Sequence, residues 1–504
     1  MPEPAPRSSV PAASGAPAGT RRTDADVIAA MVPASIRALL EQLAAAGHAA
    51  YVVGGSLRDA FLSGTPTDWD VATDARPARI LSLFPGSRYE NRFGTVLIPD
   101  GKGRFVEVTT FRRDHRYGDH RRPDHVTFGD DLVDDLSRRD FTVNALAWGR
   151  PRPGQATEGA APSTAEAALV DEFGGVDDLR CGVLRAVGDP LRRFDEDALR
   201  LVRAARLAAQ LGFEIEGRTL DAMCATADLV RHVSRERIGG ELRKLLRSPE
   251  PSRGLRIMAD TGILSASIPE LAEQRGVAQN KVPPMDCWEH TLATVDAARR
   301  LASGREMLVL AALFHDAGKP RTLSEGHFLG HELVGAQIAQ DVLRPMATPR
   351  DEIDAVAHLV RHHMFNYEPS WSDAAVRRLV QRVGPDAIDD LLVLREADNL
   401  GSGQRADQGH LLELRRRIDE QQRRGFATSV SDLAVDGHDL QRELGLQPGP
   451  IVGALLSRLL ESAVADPARN TYRQSIVDAR GWLPELLEQA DVPWASPDPG
   501  TDRT

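Results

Sequence analysis

Residues 50–74, AYVVGGSLRDAFLSGTPTDWDVATD, decide how the first part of the chain folds. The β-branched run at 51–53 predicts a buried strand, the glycine-glycine-serine triplet at 54–56 predicts a tight turn, and 57–62 predict a helix. Glycines let a ligand come close to the backbone, and the free N–H groups at the start of a helix bind phosphate. A charged donor one turn into the helix strengthens such a site. The predicted phosphate-binding residues are Gly55, Ser56 and Arg58.

Two acidic residues, Asp68 and Asp70, follow on what we predict to be the next strand. Residues two apart on a strand point to the same face, so the two carboxylates should project together. Such a pair can hold Mg²⁺ against a triphosphate, because Mg²⁺ prefers hard oxygen ligands and usually binds one or two carboxylates plus substrate phosphates. The spacing therefore predicts a magnesium site at Asp68 and Asp70.

Glu107 is a candidate third carboxylate. It lies in VEVTTFR, within a strand predicted at 104–110, after a turn at 101–103. An acid in an otherwise β-branched run is costly unless it faces solvent or a cation. Glu107 is therefore either a third catalytic carboxylate or an ordinary exposed strand residue.

Composition limits the class of protein. At 504 residues the chain has room for roughly three or four domains. The three cysteines are far apart and form no C-x-x-C pair, so neither a disulfide framework nor a zinc ribbon is indicated. A net charge of −11 argues against a surface that coats nucleic acid generally, but leaves room for a local basic face. No apolar run reaches the length of a membrane span and no hydrophobic signal core is present, so we expect a cytoplasmic protein without membrane partners.

Two motifs resemble known families. The pattern GG-x-x-R-D followed by D-x-D resembles the signature of the nucleotidyltransferase superfamily. Residues 138–145, RRDFTVNA, closely resemble the R-R-D-F-T-x-N-A motif of class II nucleotidyltransferases, which add nucleotides to tRNA 3′ ends. The resemblance implies that Arg139 supports the incoming nucleotide. A solvated charge cluster is the alternative interpretation of the arginine pair.

Residues 194–207, FDEDALRLVRAARL, combine acids and arginines on a predicted helix. Spacings of three place Asp197, Arg200, Arg203 and Arg206 along one drifting face. An ion-paired solvent face is one interpretation of such a stripe. The other is that E-D-x-x-R resembles the nucleotide-selecting motif of the same family, which implies that Asp197 and Arg200 hydrogen-bond the base edge of CTP or ATP, with Arg203 and Arg206 beside them. A carboxylate accepts from an exocyclic amine and a guanidinium donates to ring acceptors, so side chains can act as the template.

A second set of polar residues follows in the predicted helices of the later part of the chain. The order His290, His315-Asp316, His331, His362 or His363, and Asp398 resembles the HD phosphohydrolase superfamily. Neutral imidazoles and carboxylates from different helices can converge on one or two divalent metals, which activate water for phosphoester hydrolysis. The predicted ligands of this second divalent metal site are His290, His315, Asp316, His331, His362 and Asp398.

Two further segments bear on the exact activity. Residues 112–131 show no regular period and predict a long mobile loop, which in the resembled family would reposition the template for the switch from C to A. Residues 91–96, NRFGTV, look more like the strand of CCA-adding enzymes than the arginine-rich signature of poly(A) polymerases.

From about residue 30 to 490 the chain resembles bacterial, actinobacterial-like class II CCA-adding tRNA nucleotidyltransferases of the CCA-adding and poly(A) polymerase family with an HD domain. The resemblance implies an α+β fold, with a polymerase-β-like head of a small mixed sheet and helices, followed by an all-α neck, body, HD domain and tail. The predicted boundaries are a disordered tail at 1–25, the head at 26–165, the nucleotide-selecting and RNA-binding neck and body at 166–265, the HD domain at 266–420, a C-terminal helical region at 421–492, and a disordered tail at 493–504.

The implied reaction is addition of CCA to the tRNA 3′ end from CTP and ATP, with release of pyrophosphate and recognition of the acceptor stem. Two Mg²⁺ ions would bind Asp68 and Asp70, and Glu107 would assist as ligand or base. The alternatives are a poly(A) polymerase, which shares the head, a C-only adding enzyme, an HD phosphohydrolase with an inactive head, and a non-catalytic RNA-binding module. Asp68→Ala separates these alternatives, because it should abolish transfer while sparing hydrolysis and tRNA binding.

Overall fold

The computed structural model describes residues 24–62, 64, 66, 68–90, 94–100, 103–115, 125–152, 167–279, 285–403 and 408–489. The chain divides into two compact units. The first unit comprises Met1–Arg200 and Glu214–Ala222, and the second comprises Leu201–Phe213 and Met223–Thr504. The two tails predicted to be disordered, apart from residues 24 and 25, lie outside the described residues.

A mixed β-sheet forms the centre of the first unit. Its strands are β1 Ala50–Val53, β2 Asp70–Thr73, β3 Arg88–Tyr89, β4 Thr95–Pro99, β5 Phe105–Thr110, β8 Ala147–Arg150 and β9 Ala168–Val170. They pair in the order β3-β4-β5-β2-β1-β8-β9, and β2 with β5 is the parallel pair in this sheet, since the other neighbours run antiparallel. The smaller strands are β6 Arg112–His115 with β7 His125–Phe128, and β10 Val183–Leu184 with β11 Glu214–Ile215.

The burial of the strands follows their position in the sheet. All four residues of the central strand β1 are buried, as expected for a short apolar run covered on both faces. Strand β5 alternates instead, with Val106 and Val108 buried and Glu107 exposed between them. Tyr51 of β1 and Phe111 just after β5 belong to one core cluster on this sheet. The alternation therefore turns Glu107 away from the core.

Short helices surround the sheet and connect its strands. They are α1 Asp24–Met31, α2 Ala34–Ala45, α3 Gly55–Phe61, α4 Pro77–Leu83, α5 Leu132–Ser137, α6 Gly175–Cys181 and α7 Pro190–Glu196, with a 3-10 turn at Thr142–Asn144. Two more helices, α8 Leu199–Leu211 and α9 Gly217–Thr226, contribute residues to both units. The predicted order of strand, glycine turn and helix over 50–62 is present as β1, Gly54 and α3.

The structure differs from the sequence prediction in three places. Strand β9 adds to the edge of the sheet beyond the head boundary predicted at 165, and β10 and β11 form a parallel pair in a region predicted to be all-α. Strands of two or three residues are too short to produce a recognisable period. The remaining difference is in the loop predicted at 112–131. Its ends pair as the antiparallel strands β6 and β7, and residues 116–124 lie outside the described part.

The second unit is mostly helical, which confirms the predicted change from a mixed sheet to helices. Its helices are α10 Arg235–Leu246, α11 Pro251–Asp260, α12 Ile263–Ser267, α13 Pro269–Ala272, α14 Cys287–Leu301, α15 Glu306–Phe314, α16 Lys319–Thr322, α17 His331–Leu343, α18 Arg350–His362, α19 Asp373–Val383, α20 Ile388–Gly401, α21 Gln408–Arg424, α22 Gly437–Leu444, α23 Pro450–Ala465 and α24 Tyr472–Gln489. Short 3-10 turns lie at Ala227–His232, Arg344–Met346, Val430–Asp432 and Pro467–Arg469. None of the helices in the described ranges combines the length and apolar character that crossing a bilayer requires.

Helix α15 lies in the interior of the second unit. Every residue from Leu308 to Phe314 is buried, as expected for a helix that is apolar all round. Its last residue directly precedes His315 and Asp316, and both of these residues are buried in the interior as well. The helices α22, α23 and α24 pack on a separate apolar cluster that includes Leu440, Leu455 and Leu483.

Candidate functional sites

Three predicted carboxylates lie at the same end of neighbouring strands in the first unit. Asp70 begins β2, and its register partner in the parallel strand β5 is Glu107. Neighbouring strands lie about 4.8 Å apart and register partners point to the same face, so these two exposed carboxylates are adjacent. Asp68 is exposed as well, but it precedes the strand rather than lying on it, which corrects the predicted placement.

The electrostatics of Glu107 show how close these acids are. Burial raises the pKa of Glu107, and the charges of Asp70, Glu90 and Asp68 raise it further. Glu90, which directly follows β3, was not predicted; its backbone N–H donates to Thr95 O at 3.0 Å. A group of mutually repelling carboxylates provides the hard oxygen ligands that a divalent cation such as Mg²⁺ prefers.

The glycine turn brings an arginine beside these carboxylates. Gly54 has φ +82° and ψ −142°, a conformation that residues with a Cβ rarely adopt. A Cβ added there would lie 2.7 Å from Arg139 Nη1 and 3.9 Å from Asp70 Oδ2. Only glycine at position 54 therefore lets the Arg139 guanidinium approach the turn and Asp70.

Two of the three predicted phosphate-binding residues are engaged within the protein. Arg58 is buried, with Nη1 donating to Asn144 Oδ1 at 2.8 Å and Nε to Asp59 Oδ1 at 2.8 Å. Ser56 is also buried, and its hydroxyl donates to Val53 O at 3.4 Å. Gly55 remains partly exposed. The structure thus makes Arg58 a link between the glycine turn and the RRDFTVNA segment, a role that residue type alone did not indicate.

Asp135 organises the arginine pair and was not predicted. It is buried in α5 and accepts from Arg138 Nη2 at 2.6 Å, while Arg139 Nη2 lies 3.6 Å from its other oxygen. Burial alone would raise the pKa of Asp135, but Arg138 and Arg139 outweigh it and lower the pKa. An acid three and four residues before two arginines on a helical segment is the signal that could have identified it.

Glu196 holds the predicted base-reading arginine in place. Glu196 Oε2 accepts from Arg193 Nη1 at 2.7 Å and from Arg200 Nη1 at 2.9 Å. Arg200 also donates to Arg193 O at 2.9 Å and, through Nη2, to Arg138 O at 2.7 Å. Asp197 accepts from the backbone N–H of Leu199 at 3.1 Å, so it caps the start of α8.

Arg203 and Arg206 lie in the second unit, and Arg206 does not fit the role predicted for it. It is 7 % exposed, and its guanidinium donates to Glu241 Oε2 at 2.6 Å and to Gln210 Oε1 at 2.7 Å. Arg203 is exposed. Each step of three residues turns a helix by about 60° away from a straight row, so the side-chain direction changes by about 120° from Arg200 to Arg206 along α8. The drift places Arg206 in the core of its unit.

The predicted HD residues come together as two buried groups. Each residue offers one ligand atom, and within a group these atoms all lie within 4.8 Å of one another. The first group is His290, His315 and Asp398; the second is Asp316, His331 and His363. His290 Nε2 lies 3.0 Å from Asp398 Oδ1 and 3.1 Å from His315 Nε2. Asp316 Oδ1 lies 3.5 Å from His331 Nε2 and 3.8 Å from His363 Nε2.

Backbone carbonyls orient three of these rings. Nδ1 of His315, His331 and His363 lies 2.8, 2.6 and 2.7 Å from the carbonyl oxygen three residues earlier. This arrangement leaves Nε2 directed into the cluster, as in histidines that bind metal. The buried Nε2 atoms of His331 and His363 have no hydrogen-bond partner within the described ranges. Burial lowers the pKa of His290 and of His331, which favours the neutral imidazole that a metal requires.

Asp316 and its neighbours complete the second group. Burial alone would raise the pKa of Asp316, but His315 and Lys319 outweigh it and hold the pKa well below its usual range. Lys319 Nζ donates to Asp316 Oδ2 at 2.6 Å and to Gln279 Oε1 at 2.8 Å. The lowered pKa of Asp316 favours an ionised carboxylate beside the imidazoles of the cluster, and carboxylate with imidazole is a donor set that fits divalent transition metals.

The structure corrects the choice of His362 as a ligand. Its half-buried ring lies 4.6 Å from the ring of His358, and the next residue, His363, occupies the cluster. Burial, His358, Arg382 and Arg361 together lower the pKa of His362 to about 4. Neighbouring residues on a helix point about 100° apart, so only one of the two histidines can face the interior.

Comparison with known proteins identifies three matched segments. The family described as the poly A polymerase head domain matches residues 50–185. The family described as a probable RNA and SrmB-binding site of polymerase A matches 212–275, and the HD domain matches 287–402. The first match includes Asp68, Asp70 and Glu107, and the third contains every residue of the two buried groups.

Several curated relatives are named CCA-adding enzymes. The enzyme of Anoxybacillus flavithermus is 39% identical over 238 residues, which is 47% of this chain and 56% of that enzyme, so this alignment spans little more than half of the relative. The enzyme of Streptococcus thermophilus is 32% identical over 444 residues, 87% of this chain and 94% of the relative. A Geobacillus enzyme is 31% identical over 446 residues, 88% and 95% of the two chains.

Solved structures show the same fold. The CCA-adding enzyme of Bacillus stearothermophilus in complex with CTP matches with a TM-score of 0.61 and 25% identity, over 91% of this chain and 99% of that one. The Thermotoga maritima CCA-adding enzyme complexed with tRNA matches with a TM-score of 0.54 and 18% identity, over 93% and 99%. Because a relative more than 30% identical aligns over almost its whole length, this chain belongs to the family of CCA-adding enzymes.

Proposed function

We propose that this protein adds CCA to the 3′ ends of tRNA, using CTP twice and then ATP and releasing pyrophosphate. The observation that carries the proposal is the parallel register of Asp70 with Glu107, two neighbouring residues that we propose as catalytic carboxylates. Membership of the family of CCA-adding enzymes supports CCA addition over the poly(A) polymerase alternative.

Asp68, Asp70 and Glu107 are the proposed ligands of two Mg²⁺ ions. The fit rests on the hard oxygen donors and on the raised pKa of Glu107, whose cause is burial among other carboxylates. Magnesium bound there would neutralise the triphosphate and activate the 3′-hydroxyl of the tRNA. Arg139, which the Gly54 turn admits beside Asp70, places a positive charge where the triphosphate would lie. Gly55 is the proposed backbone contact to phosphate.

Arg200 and Asp197 are the proposed readers of the incoming base. A guanidinium has five N–H donors. Three N–H groups of Arg200 donate to Arg193 O, Glu196 Oε2 and Arg138 O. These bonds fix the plane of the guanidinium and leave two N–H donors for a base edge. Fixing the guanidinium before the nucleotide arrives reduces the ordering cost of binding. Arg203 is exposed and stays a proposed nucleotide contact, whereas Arg206 supports its own helix.

The test is extension of tRNA that lacks its 3′ end, with CTP alone, ATP alone or both, read at single-nucleotide resolution. Two additions with CTP and a third only when ATP is also present would support the proposal. A long ladder from ATP alone would instead indicate a poly(A) polymerase. Asp70→Asn should abolish every addition, and Glu172→Gln, the same change of charge at an exposed acid of the first unit, should leave extension unchanged.

Metal-dependent phosphohydrolysis by the HD region is a second candidate function. The two buried groups support it, and so do the Nε2 atoms of His331 and His363, which have no hydrogen-bond partner among the described residues. A buried polar atom without a partner lowers stability, and a bound metal ion would remove that cost. A divalent metal held there would supply activated water for phosphoester hydrolysis. The protein contributes neutral imidazoles oriented by backbone carbonyls and the carboxylates of Asp316 and Asp398.

Adjacent histidines provide a matched test of this site. His363→Ala should lower the number of bound metal ions, measured by elemental analysis of the purified protein, and should abolish hydrolysis of bis(p-nitrophenyl) phosphate. His362→Ala removes the same side chain one residue earlier and should leave both unchanged. Equal metal content in wild type and His363→Ala would rule out the second group as a metal site.

A further inference from the structure

A groove of about 830 Å³ lies between α19 and α23 in the second unit. Its lining includes Trp371, Arg378, Gln381, Arg382 and Glu461. None of these residues belongs to the predicted catalytic or metal-binding sets. The groove therefore needs an explanation of its own.

Arg377 joins the two helices that border the groove. Its guanidinium is buried and donates to Val464 O at 2.7 Å, to Ala465 O at 2.6 Å and to Gln421 Oε1 at 2.6 Å. These bonds satisfy the last carbonyls of α23 and join its end to α19. The two helices are thus held together from inside, so the groove between them is part of the fold.

Arg378 and Arg382 of α19 line the groove. They are four residues apart, which places them on one helical face, and both are exposed. Neither forms an ion pair or a hydrogen bond to a described residue, in contrast to Arg377 beside them. Arg361 and Arg382 also act on His362, so positive charge extends from the groove to the end of α18. Two unpaired guanidinium groups in a chain of net charge −11 form a local site for an anion.

The aromatic and acidic residues of the lining distinguish a nucleic acid from a simple anion. Trp371 is held edge-on by Tyr367, with ring centroids 5.5 Å apart and an interplanar angle of 72°, and it lines the groove near the arginines. Glu461, also in the lining, has no ion-pair partner in the described ranges. An indole ring stacks on bases, arginines bind phosphates, and a carboxylate accepts from base amines or ribose hydroxyls.

We propose that this groove binds RNA, with Arg378 and Arg382 on the phosphates and Trp371 against an exposed base. The RNA is tRNA if the proposed function holds, and this identification rests on that proposal. The groove then contributes to affinity for the whole tRNA and takes no part in nucleotide choice or in the chemical step.

The test is the double variant Arg378→Ala/Arg382→Ala in the full-length protein, with tRNA affinity measured from about 50 to 200 mM salt. We expect the Kd for tRNA to rise about tenfold at 200 mM salt and by more at 50 mM, and the magnitude of the slope of log K against log salt to fall by about two, because two phosphate contacts are lost. The kcat for CTP addition at saturating tRNA and the KM for CTP should not change. Arg350→Ala/Arg473→Ala removes the same charge from exposed positions of the second unit outside the groove lining and should change neither Kd nor slope.

Trp371→Phe provides an independent reading of the same groove. Among the tryptophans in the described residues, Trp371 is the one that lines the groove, so the substitution should reduce the change in tryptophan fluorescence that tRNA causes. The inference is overturned if these variants keep the Kd, the salt slope and the fluorescence change of the wild type. If the wild type also extends tRNA, the proposed function stands. A different result would support the groove and overturn the proposed function. In that case the wild type binds tRNA but adds no nucleotide, and the double variant loses tRNA binding.

Discussion

Replacing Glu107 by glutamine should stabilise the first unit while removing nucleotide addition. Glu107 has no salt bridge in the described ranges, and the groups that act on it are Asp70, Glu90 and Asp68, all of like charge. Its register partner Asp70 is on the neighbouring strand, about 4.8 Å away, and two charges at that distance repel by about 1 kcal/mol at the dielectric constant of water. Partial burial contributes to the raised pKa of Glu107, but the side chain is exposed enough for water to screen this repulsion, so the value for water applies.

The expected gain is about 1 kcal/mol at pH 7 and low salt, which corresponds to an unfolding midpoint about 2 to 4 °C higher for a unit of this size. The sign follows from the pKa. The folded pKa of Glu107 is raised, so the unit is most stable below the ordinary carboxyl pKa and loses stability as the pH rises through the folded value. The advantage of glutamine should therefore disappear below about pH 4 and in 1 M salt.

The assay is thermal unfolding followed by differential scanning fluorimetry, with and without millimolar Mg²⁺. Without Mg²⁺ the variant should unfold at the higher temperature. With Mg²⁺ the wild type should gain more than the variant, since the ion binds the carboxylates. Glu172→Gln, at an exposed acid that does not act on Glu107, controls for the change in net charge. A Glu107→Gln variant that is less stable than the wild type without Mg²⁺, or that matches Glu172→Gln, would refute the reasoning.

Three further substitutions test other parts of the structure. Gly54→Ala puts a Cβ 2.7 Å from Arg139 Nη1 at a φ of +82°, so it should lower the free energy of unfolding by about 1 to 3 kcal/mol. It should also reduce CTP addition without weakening tRNA binding in a filter assay. Unchanged addition would contradict the role of the turn. Arg206→Met leaves the buried Glu241 carboxylate without its arginine, so it should lower the free energy of unfolding by about 3 to 5 kcal/mol in denaturant titrations. The choice between CTP and ATP should not change. A changed choice would return Arg206 to the nucleotide site. Burial, with Asp74 nearby, raises the pKa of Tyr51 to about 12, so the wild type should lose stability between pH 10 and 12. Tyr51→Phe should lose about 2 to 3 kcal/mol less over that range. Identical pH profiles of stability would contradict the raised pKa.

Local patterns made much of the head predictable. The strand, glycine turn and helix over 50–62 follow from β-branched residues and glycines, and Glu107 was recognisable as an acid at the exposed position of an alternating strand. The pairing of β2 with β5 was not predictable, because nothing local to either strand encodes a partner more than thirty residues away. Glu90 was missed for the same reason, since only the folded sheet brings it close to Glu107.

The errors of prediction share a physical cause, which is that residue type shows what a side chain can bind and not what it binds. Phosphate binding by Arg58 stays a prediction, but its residue type did not indicate the bond that it makes to Asn144, far along the chain. Arg206 belonged to a plausible stripe, but the turn of the helix directs it to Glu241. His362 and His363 are chemically identical, and only the packing of α18 decides between them.

The parallel pairing of β2 and β5 also determines how relatives can be compared. A parallel pair needs a crossover, and here the crossover includes α4, β3 and β4. Backbone hydrogen bonds between the two strands set the distance from Asp70 to Glu107, and the number of residues in the crossover does not enter it. Insertions or deletions between residues 74 and 104 can therefore accumulate without moving the third carboxylate. A search for this residue in distant sequences should look for an acid at an exposed position of an alternating β-branched segment, and should put no weight on its distance from the D-x-D motif.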